Sequence, residues 1–117
     1  MFWVPASRFL KYKKMEIIYA NDKIEAFLKK ADKKLAARIE KTIDLLEECG
    51  NKIELPHSKS IGQGLFELRT EGNPQVRIIF MFHKNQAFLL HVFLKKDQKI
   101  KKSDIEAALR VRKYVLA

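Results

Sequence analysis

Three runs between residues 65 and 94, "LFELR", "QVRIIFMF" and "AFLLHVFL", constrain this chain more than any other feature. Each is short, rich in β-branched and aromatic residues and bounded by turn formers, so they read as strands over 65–69, 75–82 and 87–94. Gly72-Asn73-Pro74 punctuates the first junction and Lys84-Asn85-Gln86 the second, and connections this short imply antiparallel pairing. Alternate residues of a strand face opposite sides. Every even position is apolar: Phe66, Leu68, Val76, Ile78, Phe80, Phe82, Phe88, Leu90, Val92 and Leu94. The odd positions hold Glu67, Arg69, Arg77, His91, Phe93 and Lys95, diluted by Leu65, Ile79, Met81 and Leu89. Even pairs with even only through an odd-length hairpin loop, and Lys84-Asn85-Gln86 supplies three residues between His83 and Ala87. That register sets Arg77 opposite Phe93 and Ile79 opposite His91, and a one-residue slip would bury the charges. The expectation is an even face committed to core, and an odd face that presents cations and an aromatic ring to an open concavity.

Upstream, "MEIIY" at 15–19 alternates as a short strand. Asn21 or Asp22 can cap a helix with Ile24, Phe27, Leu28 and Ala31 on one stripe, and Asp32 a longer one with Leu35, Ile39, Ile43 and Leu46, stopped by Gly50. The segment around Pro56 reads as a loop. "SDIEAALRVRKYVL" at 103–116 reads as a last helix, with Ser103 as the cap and Glu106 at the capping-box position. The fold class is α+β: two N-terminal helices packed on one face of a small, mainly antiparallel sheet, plus a C-terminal helix. Residues 15–117 form one domain in this reading. Residues 1–14, "MFWVPASRFLKYKK", show neither helical nor strand period, and a chain starting at Met15 is expected to fold and keep its function.

Composition narrows the function classes. A single cysteine, Cys49, permits no internal disulfide framework and no cysteine-based zinc site, and suits a reducing, cytoplasmic setting. Apolar runs fall short of a membrane span, and the N-terminus has its basic residues after the apolar ones, the reverse of a secretory signal. The net charge is +10, and it is uneven. Residues 22–50 balance seven basic against seven acidic side chains, whereas residues 95–117 carry eight basic and three acidic. A surplus gathered in one part of the chain suggests a face for an anionic polymer, although solubility alone would also account for it.

The odd-face residues suit RNA. Arginine grips phosphate bidentately, an unpaired base can stack on Phe93, and histidine moves protons near neutrality. Cleavage beside a 2′-hydroxyl needs a base, an acid and cations on the phosphorane, with no metal or other cofactor. Glu67 is the one carboxylate on that face, no Gly-rich phosphate loop is present, and the three histidines lack zinc spacing. Each residue also has a plainer reading. His91 alone is more often structural, Arg69 and Arg77 read equally as charges paired with Glu67, Phe93 as core, and the lysines as a solvated loop. Their convergence on one face favours function.

Those residues fall in "LLEECGNKIELPHSKSIGQGLFELR", "VRIIFMF" and "LLHVFLKKDQKIKKSDIEAALRVRKY". The three ordered segments resemble the RelE/ParE toxin superfamily, closest to its phage-derived, HigB-like branch, over about Met15 to Tyr114. The resemblance implies a RelE-like fold and a toxin that cuts mRNA on the ribosome without a metal. It also implies silencing by a co-expressed helix-turn-helix, HigA-like antitoxin, with operator DNA bound only through the complex. By position, Arg69 and Arg77 would hold the phosphate, and Lys95 and Lys96 would stabilise its charge or assist proton transfer. His91 is assigned proton transfer from its chemistry, while Lys59, Phe93, Lys99, Lys101 and Lys102 complete the candidate RNA contacts. Two departures stand out: the last helix carries only Tyr114, near its end, where many members have a catalytic tyrosine, and Val92 replaces a smaller residue. The competing expectations are a ParE-like toxin acting on DNA gyrase, and a nucleic-acid-binding module without chemistry.

Overall fold

The computed structural model describes residues 14–97 and 99–117. The expectation for the N-terminal extension therefore lies, Lys14 apart, outside the described residues. The elements run β1 (Glu16–Tyr19), α1 (Asp22–Lys30), α2 (Lys33–Cys49), a 3-10 turn (Gly50–Lys52), β2 (Ser58–Gly62), β3 (Leu65–Thr70), β4 (Val76–His83), β5 (Gln86–Leu94) and α3 (Lys102–Leu116). The fold is α+β, with three helices against one mixed sheet. Sheet order is β1-β5-β4-β3-β2, with β1 parallel to β5 and the other pairings antiparallel. No helix among the described residues is long and apolar enough to cross a membrane.

The helix starts follow from side-chain chemistry. Asn21 accepts from the Lys23 backbone N–H, and Asp32 accepts from that of Leu35, each satisfying a donor that a helix N-terminus otherwise leaves free. Gly50, at φ +55°, ends α2 in a conformation that costs glycine least. α3 departs from the sequence reading. Lys101 occupies its N-cap with no side-chain hydrogen bond, so Ser103 is inside the helix and does not cap it. Glu106 reaches Lys102 at 3.8 Å.

The register of β4 and β5 is partly as expected. Arg77 faces Phe93 and Ile79 faces His91. The turn differs: its central residues are Lys84 and Asn85 alone, both left-handed at φ 49° and 61°, between the paired His83 and Gln86. A two-residue turn with both positions at positive φ matches the natural strand twist. It also pairs even with odd, setting Phe82 against Ala87 and Phe80 against Leu89. A bulge at Leu90 then restores even-with-even pairing, because the extra residue shifts the register by one. Ala87 and Leu89 therefore join the core under α1 and α2, while Phe88 and Leu90 turn to the opposite face, against the uniform even-face assignment.

That opposite face is not open along its length. α3 covers Leu65, Ile79, Met81 and Leu90, and Ala108, fully buried, lets the helix approach closely. Among the described residues, the end of that face at Phe93 opens onto a cleft. Leu94, expected in the core, is 39% exposed. The sheet has one strand more than the sequence suggested: "SKSIG" pairs with β3 as an edge strand where a loop was expected. Only Ser58 in it is buried, so it carries no alternation to read.

Candidate functional site

β3, β4 and β5 bring Glu67, Arg69, Arg77 and Phe93 to one end of the sheet. Arg69 pairs directly across from Arg77, a like-charge arrangement that destabilises by itself. Glu67 offsets it. Its Oε1 accepts from Arg69 Nε at 2.9 Å and stands 3.5 Å from Arg77 Nε. Arg77 further donates from Nη2 to Gln75 Oε1 at 3.0 Å and from Nη1 to the Val76 carbonyl at 3.3 Å. Its Nε is buried without a hydrogen-bond partner among the described residues. Burial pushes the Arg77 guanidinium below its ordinary value, Glu67 opposes that shift and Arg69 adds to it. An arginine keeps its charge under such pressure. The plainer sequence reading, arginines paired with Glu67, therefore holds for both, and Arg77 at 5% exposure is part of the packed interior. That corrects the expectation that Arg77 is presented to an open concavity.

In front of this cluster lies a cleft of about 680 Å³ between the sheet end, β2 and residues 95–97 and 99–101. Lys59, Arg69, Lys95, Lys96, Lys99 and Lys101 line it, against Glu67, Asp97 and Asp104. Two of those acids are already engaged, Glu67 by the arginines and Asp104 by His91. The free surface is therefore strongly cationic. Phe93 also lines the cleft while it packs against the cluster that α3 covers, so it is half core and half surface. The Lys95 backbone N–H donates to the Gln75 carbonyl at 2.9 Å, which starts the lysine segment at the cleft.

His91 sits beside the cleft, stacked on Phe93 with ring centroids 5.8 Å apart and 23° between planes. Its Nε2 is 2.8 Å from Asp104 Oδ1, on the first turn of α3. Seven of the sequence-selected residues thus line one cleft: Lys59, Arg69, Phe93, Lys95, Lys96, Lys99 and Lys101. Arg77 lies behind them and His91 to one side. Lys102 is not in the lining; its side chain is 91% exposed and paired with Glu106. Gln75 and Asp104 were not singled out from the sequence. Neither has a spacing signal, since each becomes a partner only through the sheet or the packing of α3.

A family model described as "Phage derived protein Gp49-like (DUF891)" matches residues 26–113. The chain belongs to this family. The Gp49-like family is phage-derived and toxin-like. The matched span runs from within α1 to near the end of α3, so every cleft residue of this Gp49-like chain falls inside it. No curated protein matches the chain.

Proposed function

We propose that this Gp49-like chain is the toxin of a type II toxin–antitoxin system, of the HigB-like branch of the RelE/ParE superfamily, and cleaves mRNA on the ribosome in the cytoplasm. The observation that carries the reading is the cleft itself: six cations around an aromatic floor, next to a histidine held by a carboxylate. A phosphodiester fits that chemistry. Arg69, partly exposed, grips a non-bridging oxygen, while Arg77 aligns it from behind through their shared Glu67. Lys95 and Lys96 neutralise the charge that builds on the phosphorane. A base stacks on Phe93, and Lys59, Lys99 and Lys101 follow the backbone on either side. His91 moves the proton. The 2′-oxygen attacks phosphorus as the bond to the 5′-oxygen breaks, so the reaction draws its nucleophile from the RNA and asks no metal of the site.

A toxin with an exposed cationic cleft needs a partner that masks it. A helix-turn-helix antitoxin with acidic contacts supplies that role and carries the pair to operator DNA. The experiment is primer extension on mRNA incubated with purified protein, with and without ribosomes, at constant Mg²⁺ and with a transition-metal chelator. Ribosome-dependent cuts are expected. Inhibition of gyrase supercoiling without RNA cleavage would instead support the ParE-like alternative, and RNA retention without either activity a simple binder.

A further inference from the structure

His91 is held from two sides. Asp104 places Oδ1 2.8 Å from Nε2, with the two side chains 19% and 16% exposed, and Phe93 stacks along the ring. An ionised carboxylate only accepts hydrogen bonds, so Nε2 is the nitrogen that carries the hydrogen. Nδ1 is left with its lone pair. Asp104 also lines the cleft, between the lysine segment and the body of α3. Ile105, Ala108 and Leu109 bury that helix on the sheet, and Arg112 donates to the Gln63 carbonyl.

We infer that Asp104 is a positioning residue for the cleavage: it fixes His91 as the Nε2–H tautomer, so that Nδ1 takes the proton of the attacking 2′-hydroxyl. The inference rests on the endoribonuclease reading above. As the bond from the 2′-oxygen to phosphorus forms, that proton passes to Nδ1, and the departing 5′-oxygen takes a proton from solvent. Asp104 neither gains nor loses a proton. Its negative charge stays beside the imidazolium that forms, and its oxygen keeps the ring from turning.

The test joins ¹⁵N NMR of the His91 imidazole with single-turnover cleavage, in wild type and Asp104→Asn. In the wild type, at a pH where the ring is neutral, Nε2 should carry the hydrogen. The asparagine can accept from Nε2–H through its oxygen or donate to Nε2 through its amide nitrogen, so the ring is no longer held in one tautomer. Cleavage should then slow by about 10²–10⁴-fold, the scale of losing a positioned proton acceptor. The loss should fall on the cleavage step rather than on RNA binding, and in a His91→Ala background Asp104→Asn should slow cleavage no further. A wild-type ring protonated on Nδ1, or wild-type cleavage rates in Asp104→Asn, would overturn the inference and leave the endoribonuclease reading intact. No cleavage by the unsubstituted protein removes both, and that outcome is read before any variant is made.

Discussion

Glu67 sets how the two arginines divide their work. It is 8% exposed and serves both guanidiniums, so removing Arg77, itself buried, leaves a buried carboxylate short of a partner. Arg77→Ala should destabilise by about 3–5 kcal/mol in urea titrations followed by circular dichroism, the range for breaking one side of a buried pair. Arg69→Ala should lose about 10²–10³-fold in cleavage, because Arg69 faces the cleft, and some stability as well, because Arg69 Nε donates the hydrogen bond that Glu67 accepts. Tyr19 provides a pH test. Burial raises its phenol above the ordinary value, and Glu40, Glu25, Asp44 and Glu47 add to the shift. A raised value in the folded state means the contribution is complete below pH ~10 and is lost as pH rises through the folded value. Alkaline unfolding should therefore begin at higher pH in Tyr19→Phe. Arg69, Arg77, His91 and Phe93 were legible as one face because strand parity aligns them. The burial of Arg77 and the role of Asp104 were not, because each depends on α3 or on a neighbour far along the chain.

Caps and turns mark what sequence could and could not say about elements. Asp32 was legible as a cap because its short acceptor precedes an apolar stripe, and it binds the Leu35 N–H at 2.8 Å. Asp32→Ala should cost about 1 kcal/mol, while Ser103→Ala should stay within about 0.5 kcal/mol since Ser103 caps nothing; thermal melts decide both. The hairpin departs from uniform parity for a physical reason. Uniform parity demanded three loop residues, but the strand twist favours the two-residue turn at Lys84-Asn85, and the Leu90 bulge repairs the register. That bulge is what returns His91 to the face of Arg77. β2 was illegible because an edge strand with one buried residue has no pattern. Phe80, stacked at 5.6 Å on Phe66 and fully buried, was read correctly, and Phe80→Ala should cost about 3–5 kcal/mol through the cavity it leaves.

Over the whole molecule, one face carries the basic surplus and the other the charge-balanced helices. The net charge of +10 and its concentration after residue 94 were plain in the sequence. Its focusing into a cleft was not, because that needs the edge strand β2 and the start of α3. An acidic antitoxin drawn by this field should associate at a rate that falls steeply between 50 mM and 500 mM salt, on the order of tenfold or more, since exposed charges are screened beyond ~10 Å at 0.1 M. Stopped-flow mixing checks it, and a salt-independent rate would mean docking on the neutral helical face. The central claim is that this cleft drives a 2′-hydroxyl attack on mRNA. Its most direct test is the chemistry of the termini left by cleavage on the ribosome. A 5′-hydroxyl with a 2′,3′-cyclic or 3′-phosphate is predicted; a 5′-phosphate with a free 3′-hydroxyl would contradict it.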